Sequence, residues 1–135
     1  SSDHAGFETK EFIKEHLIKS KISTIDLGPF FKKSVDYPDF AKKVSKRVSK
    51  RKSDIGILVC GSGTGMAISA NKTKGIRAAV AYNIKSTQLS RQHNNANVLC
   101  LGSRLTKKKD IKKIIKIFLN TKFEGGRHKR RVKKI

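Results

Sequence analysis

The chain has 135 residues, a formal net charge of +22 at pH 7 and only two cysteines, Cys60 and Cys100. This length is typical of one domain, so we expect residues 1–135 to form a single domain around a hydrophobic core. No apolar run approaches the ~20 residues that span a bilayer, the N-terminus has no signal-peptide core, and two cysteines without a CxxC pair exclude a disulfide scaffold. We therefore expect a cytoplasmic protein with free thiols and no membrane partner.

Helical and strand-like segments alternate along the chain. Apolar residues at helical spacing predict helices, and short β-branched or continuous apolar runs predict strands. In the first half of the chain we predict a helix over Phe7–Ser20, a strand over Lys21–Leu27, a loop over Gly28–Asp36, a helix beginning at Tyr37-Pro38 and a strand over Asp54–Cys60. A turn over Gly61–Gly65 leads into a helix over Met66–Thr73, a strand over Gly75–Tyr82 and a helix over Ile84–His93. The chain ends with a strand over Ala96–Leu101, a helix over Lys107–Thr121 and a turn with a short basic helix in the tail.

This alternation predicts a parallel sheet with helices on both faces. In such sheets, ligands bind beyond the carboxyl ends of the strands. We expect the 60–65 turn, the Asn94 loop and the Ser103 loop to lie together on that edge of the sheet.

The stretch Leu58–Lys72 joins a strand to a helix through a turn with three glycines. It does not match the dinucleotide pattern GxGxxG, and no Gly-Lys-Ser/Thr of a phosphate loop occurs. The N–H groups of such a turn, at a helix N-terminus, bind an anion or a developing oxyanion. Cys60 at its edge is either a base or nucleophile with thiolate character, or a small buried hydrophobic residue. The stretch alone does not decide between the two.

Other polar residues gave weaker signals. His93 and Asn94 precede a strand, although a lone histidine after a helix is more often structural. Arg127 and Arg131 are four residues apart, which suits a phosphate clamp on one helix face or a solvated basic end. The many lysines fit the solvated faces of amphipathic helices better than a polyanion-binding surface. Cys100 lies inside a predicted strand and is expected in the core.

Six motifs, in their order and spacing, resemble the type B ribose-5-phosphate isomerases, which share a family with the galactose-6-phosphate isomerases. They are SDHAGFE, DYPDFA, CGSGTGMAISANK, GIRAAV, SRQHNNANVLCLGSR and FEGGRHKRRV. The resemblance covers nearly the whole chain. It implies a Rossmann-like three-layer α/β/α sandwich with a parallel five-stranded sheet, whose first strand would precede Asp3 and is missing from this chain. It also implies that no metal and no organic cofactor is needed.

The resemblance further implies roles for individual residues. Cys60 matches the general base of one branch of the family; the other branch uses a glutamate later in the loop, where this chain has no acidic residue. Ser62 matches a hydroxyl that moves protons between the substrate oxygens, and His93 matches the acid/base that opens the sugar ring. Substrate contacts are implied for Asp3, His4, Tyr37, Gly61, Gly63, Thr64, Gly65 and Asn94, and phosphate contacts for His4, Arg104, Arg127 and Arg131.

These roles imply an aldose–ketose isomerase that interconverts ribose 5-phosphate and ribulose 5-phosphate through an enediolate. They also imply a homodimer with a shared active site, or a dimer of dimers. Isomerisation of a six-carbon phosphosugar, galactose 6-phosphate or allose 6-phosphate, is an alternative because sequence does not show pocket depth. A degenerate isomerase fold that binds nucleic acid through its lysines is a less favoured alternative, because the motif set is nearly complete and no aromatic–basic surface is evident.

Overall fold

The computed structural model describes residues 1–135 and contains helices and parallel strands in alternation. The helices are α1 (Phe7–Lys19), α2 (Tyr37–Ser49), α3 (Thr64–Asn71), α4 (Ile84–Asn94), α5 (Lys108–Asn120) and α6 (Gly126–Val132), and the strands are β1 (Gly56–Cys60), β2 (Ala78–Val80) and β3 (Val98–Gly102). No helix combines the length and the apolar character needed to cross a membrane.

The sheet has the strand order β1-β3-β2, and both pairings are parallel. In the register of β1 and β3, Gly56 lies opposite Val98 and Cys60 lies opposite Gly102. Both strands therefore end at the same edge of the sheet, the carboxyl edge, from which the turn after Cys60 and the loop after Gly102 extend. The α/β class with a parallel sheet is confirmed.

Helices cover both faces of the sheet because successive strand side chains point to opposite sides. Val59, Leu99 and Leu101 pack with residues of α1 and α5, among them Phe118. Leu58, Cys60, Val98 and Cys100 pack with residues of α2 and α3. Each fully buried leucine or phenylalanine contributes about 1.5–3 kcal/mol through removal of its surface from water. The two cores fix the helices on either side of the strand ends.

The predicted strand over Lys21–Leu27 is not formed, and the sheet has three strands rather than the four expected of this chain. A strand needs hydrogen-bonding partners along its length. The backbone between this segment and β1 consists of Ser1 and Ser2: the Ser2 N–H donates to the Gly28 carbonyl (3.1 Å), and Ser2 makes a single bridge with Val59. Neither residue makes a ladder hydrogen bond to residues 21–27, so the segment is irregular.

Local signals set both ends of α4. Asn83 accepts a hydrogen bond from the N–H of Ser86 (2.8 Å), and the Ser86 hydroxyl accepts one from the N–H of Asn83 (3.2 Å), which forms a capping box. At the other end, Asn95 adopts the left-handed conformation with φ of 48°. Asparagine tolerates this conformation better than most residues, so the chain turns here and enters β3.

Candidate active site

The turn after β1 folds back over the sulfur of Cys60. Cys60 is the last residue of β1 and is buried. The N–H of Gly63 donates to Sγ of Cys60 across 3.1 Å. Gly63 has a φ of +82°, a conformation that side chains rarely adopt. The glycine therefore permits the tight return that aims a backbone donor at the sulfur.

The loop after β3 holds this turn in place. The N–H of Ser103 donates to the Cys60 carbonyl (2.8 Å), and the N–H of Arg104 donates to the Gly61 carbonyl (3.1 Å). A Cβ on Gly102 would lie 2.7 Å from the backbone carbon of Ser62, so only glycine allows this approach. The turn is thus fixed from both sides, as a site that must not rearrange during a reaction requires.

An open cleft of about 300 Å³ lies over the turn. It is lined by Asp3, Tyr37, Cys60, Gly61, Ser62, Gly65, Arg104 and Leu105. It combines a thiol, a hydroxyl, a carboxylate, a phenol and a guanidinium around backbone N–H groups at the start of α3. Such a set can bind a small polyhydroxylated anion and hold developing negative charge.

Arg104 and Tyr37 lie directly against the glycines of the turn. A Cβ on Gly61 would lie 3.3 Å from Cζ of Arg104, and a Cβ on Gly65 would lie 2.9 Å from Cε2 and Cζ of Tyr37. The guanidinium brings a permanent positive charge to the cleft. Both residues were predicted to contact substrate or phosphate, and the structure brings them to Cys60.

Asp3 and His4 lie at the start of α1. Asp3 is buried, its Oδ1 accepts the N–H of Gly6 (2.9 Å), and its own N–H donates to the Val59 carbonyl (3.0 Å). The exposed His4 accepts the N–H of Val35 at Nδ1 (3.3 Å) and does not line the cleft. Asp3 is therefore the member of this pair that the structure places in the cleft.

Thr64 begins α3 and does not line the cleft. Four other predicted residues form a second group, which we call the tail group: His93, Asn94, Arg127 and Arg131. The N–H of Glu124 donates to the Gln92 carbonyl (3.0 Å), which attaches the segment before α6 to the end of α4. The rings of His93 and His128 stack at 4.2 Å with an angle of 6° between them. Arg127 and Arg131 are exposed on α6.

The tail group lies at the opposite edge of the sheet from Cys60, so the expectation that the Asn94 loop shares the edge of the 60–65 turn was wrong. α4 follows β2, returns along the sheet and delivers Asn94 to the amino end of β3, which begins at Val98. Cys60 lies at the carboxyl end, opposite Gly102. Four residues of strand separate the two ends by about 13 Å. Within one chain, His93 does not reach the Cys60 cleft.

Comparison with known proteins identifies the family of the chain. The model of the ribose/galactose isomerase family matches residues 1–135. The chain is 48% identical to a probable ribose-5-phosphate isomerase B of Mycoplasma genitalium, over 100% of this chain and 90% of that relative. It is 44% identical to ribose-5-phosphate isomerase B of Escherichia coli, over 98% of this chain and 89% of that relative.

The chain belongs to the ribose/galactose isomerase family. It is an isomerase. The crystal structure of ribose-5-phosphate isomerase B from Mycoplasma genitalium with bound ribulose-5-phosphate is similar to it with a TM-score of 0.95 and 47% identity, covering 98% of this chain and 89% of that one. The enzyme from Clostridium thermocellum gives a TM-score of 0.97 at 44% identity, covering 98% of this chain and 90% of that one.

Two residues that lie beside His93, Glu124 and His128, were not among the predicted site residues. Glu124 Oε2 lies 3.8 Å from Nε2 of His93 and 3.7 Å from Nε2 of His128. Loss of solvent around the ring, with the positive charges of His93 and Arg127, lowers the pKa of His128, and the Glu124 carboxylate partly opposes this effect. The i,i+4 spacing of Glu124 and His128 was the available sequence signal.

His93, Glu124 and His128 are also the residues whose donor atoms could hold a metal ion, since these atoms lie within 4.8 Å of one another. Two imidazoles and a carboxylate are a donor set that zinc accepts. The stacked rings are nearly parallel, however, so their nitrogen lone pairs do not converge on one point. One ring would have to rotate before both could bind the same ion.

A larger cavity of about 360 Å³ lies on the other side of β1, between α1, α2 and the segment 22–27. Three of its charged groups pair with one another: Nζ of Lys10 lies 2.6 Å from Oδ2 of Asp26, which also contacts Lys14 at 3.2 Å. These contacts outweigh the burial that acts in the opposite direction, and the pKa of Asp26 is lowered. No cysteine lines this cavity, whereas Cys60 lines the cleft at the carboxyl edge.

Proposed function

We propose that residues 1–135 form one sugar-phosphate isomerase domain that interconverts ribose 5-phosphate and ribulose 5-phosphate. The observation that carries this proposal is the sulfur of Cys60 at the floor of a polar cleft, with the N–H of Gly63 directed at it across 3.1 Å. The structurally similar enzyme of Mycoplasma genitalium was crystallised with ribulose-5-phosphate, which supports a phosphopentose as the substrate here.

The first chemical step is removal of a proton from the carbon next to the substrate carbonyl. The thiolate of Cys60 takes the proton, the C–H electron pair forms the carbon–carbon double bond, and the carbonyl π electrons move to oxygen. The resulting enediolate carries negative charge, which the N–H groups of the turn and Arg104 stabilise. The thiol of Cys60 then returns the proton to the neighbouring carbon.

A proton must also move between the two substrate oxygens. The hydroxyl of Ser62 lies exposed on the cleft side of the turn, where it accepts the N–H of Thr64 (3.3 Å) and keeps its own hydrogen free to donate. A hydroxyl both donates and accepts, so Ser62 can give a proton to one oxygen and take one from the other.

We further propose that the active site is completed by a second copy of the chain in a homodimer. His93 and Asn94 lie about 13 Å or more along the strands from Cys60 in their own chain. A symmetric dimer places the tail group of each copy over the cleft of the other. His93 would then open the furanose ring, and Arg127 and Arg131 would join Arg104 at the phosphate.

Turnover of the purified protein tests the function. We expect ribose 5-phosphate and ribulose 5-phosphate to interconvert without added metal, with a kcat/KM well above those for galactose 6-phosphate and allose 6-phosphate. If kcat/KM were higher for a six-carbon phosphosugar than for the phosphopentoses, that sugar would be the substrate instead. Absence of activity on all four compounds, with a folded protein, would overturn the proposed function.

Mixing two variants that are inactive from ribose 5-phosphate, whose ring must be opened, tests the shared site. Cys60→Ala damages the cleft and His93→Asn damages the tail group, so a mixed dimer has one site with both defects and one intact site. Subunit exchange at equal amounts should therefore restore about a quarter of wild-type activity, since half of the dimers are mixed. If activity stays absent although mass spectrometry detects mixed dimers, the two groups do not act across the interface.

A further inference from the structure

Two half-buried arginines grip the backbone at the end of α4. We propose that Arg77 and Arg91, which we call the arginine clasp, position His93 and Asn94 for ring opening. This inference rests on the proposed function, because it assigns the clasp to the histidine that acts on the sugar. Neither arginine lines the cleft at Cys60, so the two act through the residues they hold.

Arg77 binds the turn that follows His93. Its Nε–H donates to the carbonyls of both Asn94 and Asn95, each at 3.0 Å. The backbone of Arg77 is itself fixed, because its N–H donates to Oδ1 of Asn97 (2.8 Å) and its carbonyl accepts the N–H of Asn97 (3.0 Å). The start of β2 and the turn before β3 are thus locked together, with Asn94 between them.

Arg91 binds the same turn from the opposite side. Its Nη1 donates to the Ala96 carbonyl, and its Nε donates to the Thr121 carbonyl (3.2 Å) at the end of α5. Its guanidinium also lies over the ring of Phe118 at 5.4 Å. Arg91 therefore ties the end of α4 to the segment that carries Glu124 and the α6 arginines.

The clasp places two like charges close together and partly out of water. Burial lowers the pKa of both guanidinium groups, and the charge of Arg77 adds to this effect at Arg91. The carbonyls at the C-terminal end of α4 carry partial negative charge and offset this cost. One cation would suffice to cap a helix, whereas two of them fix the carbonyls of three successive residues, Asn94, Asn95 and Ala96.

His93 depends on this backbone for its orientation. Its ring stacks on His128, and its Nε2 is 3.8 Å from Glu124, beyond hydrogen-bond distance. No strong side-chain bond therefore sets the direction of the ring. A small rotation of the last turn of α4 moves the imidazole relative to a bound sugar, and a misplacement of about 1 Å can cost a factor of 10² in rate.

A matched pair of substitutions isolates the Arg77 hydrogen bonds. Arg77→Gln keeps an N–H donor at the same place along the side chain as Nε, and Arg77→Met puts a methyl group there. Rates are measured in single turnovers with enzyme in excess. Ribose 5-phosphate starts as a ring, whereas ribulose 5-phosphate has no furanose ring to open. Relative to wild type, the rate of Arg77→Met should therefore fall about 10-fold more with ribose 5-phosphate than with ribulose 5-phosphate. Arg77→Gln should recover most of this loss.

Arg47→Met is the control. Arg47 is also half-buried, and its Nε donates to the hydroxyl oxygen of Ser53 (3.0 Å), but it lies on α2 and does not contact the end of α4. It should slow neither reaction selectively. If Arg77→Met and Arg77→Gln behave alike, or if both substrates are slowed equally, the clasp is structural only and the proposal is wrong.

A second measurement does not depend on activity. The chain has only four histidines, so their ring-proton NMR signals can be assigned with His93→Asn and His128→Asn. The signals of His93 and His128 should shift in Arg77→Met and return toward wild type in Arg77→Gln. Unchanged signals in Arg77→Met would overturn the clasp even in an active enzyme. If the wild type had no isomerase activity but the variants showed these shifts, the proposed function would be wrong. The clasp would still position His93, but for another reaction.

Discussion

The N–H of Gly63 lies 3.1 Å from the sulfur of Cys60 and donates a hydrogen bond to it. This hydrogen bond fixes the direction of the sulfur at the floor of the cleft. The same turn begins α3, whose N-terminus adds positive partial charge. The geometry explains why a cysteine stands at the junction of β1 and the glycine turn.

Cys60→Ala should abolish most isomerisation and leave the fold intact, because the sulfur contributes little to a core that alanine also fits. Activity and circular dichroism of the variant measure the two effects. Iodoacetamide should inactivate the wild type, and a bound phosphosugar should slow this inactivation. Near-normal turnover by Cys60→Ala would remove Cys60 as the base.

Cys100 serves as the internal control for this alkylation. It lies inside β3, is fully buried, and burial raises the pKa of its thiol, so it stays protonated and shielded. Intact-mass analysis of the folded protein should show one added group per chain, and none in Cys60→Ala. Labelling of folded Cys60→Ala would show that the reagent reaches Cys100 and that inactivation does not report on Cys60.

The effect of Gly65→Ala on stability should reverse its sign when the Tyr37 ring is removed. In the wild type, the new Cβ meets the Tyr37 ring at 2.9 Å, so the ring must move, thermal stability should fall and KM should rise. In a Tyr37→Ala background the clash is gone, and alanine in a helix is favoured over glycine by up to about 1 kcal/mol. Gly65→Ala should then stabilise the protein.

A thermal double-mutant cycle measures this coupling. Opposite signs of the Gly65→Ala effect in the two backgrounds would establish the contact. The same destabilisation in both backgrounds would mean that alanine disturbs the turn itself. Contact with Tyr37 would then not be the reason that position 65 requires glycine.

Much of this fold was predictable because its signals are local. Apolar spacing and Pro38 placed α2, and the apolar run with the three glycines after it placed the strand that ends at Cys60 and the turn that follows. The strand over Lys21–Leu27 did not form because β-branched residues make a strand only when they pair with a neighbouring backbone, and no ladder hydrogen bond reaches this segment.

The edge at which His93 and Asn94 lie was available from the predicted elements. Both precede the predicted strand over Ala96–Leu101, and residues that precede a strand of a parallel sheet lie at its amino edge, so the expectation of a shared edge misread the order of the elements. The stacking of His93 on His128 was not available, because it depends on how α6 packs against α4, which the intervening sequence does not specify.

The stability of the protein should fall in acid partly through His128. Its pKa in the folded state lies below the ordinary value of 6.5, so the unfolded chain binds more protons as the pH falls below that value. The contribution of the neutral ring is therefore complete above pH 6.5 and is lost progressively below it. The wild-type Tm should decrease more steeply between pH 7.5 and 5.5 than the Tm of His128→Asn. Parallel decreases in the two proteins would contradict the lowered pKa.

Arg131 should contribute to phosphate binding more than its neighbour Lys133. Arg127 and Arg131 lie four residues apart on α6, so their side chains project from the same face, whereas Lys133 follows the helix as its C-cap. Loss of a charge-assisted hydrogen bond costs about 1.5–3 kcal/mol, so Arg131→Ala should lower kcat/KM roughly 10- to 100-fold. Lys133→Ala should change kcat/KM little.

Inhibition by inorganic phosphate separates a phosphate clamp from general attraction by a basic tail. Phosphate should compete with substrate in the wild type and in Lys133→Ala, and should compete much more weakly in Arg131→Ala. Because long-range attraction between exposed charges is screened over ~10 Å at 0.1 M salt, the Arg131→Ala defect should persist at higher salt if the contact is direct. Equally small losses in both variants, removed by added salt, would show that the tail acts only through its net charge and that Arg131 does not bind the phosphate.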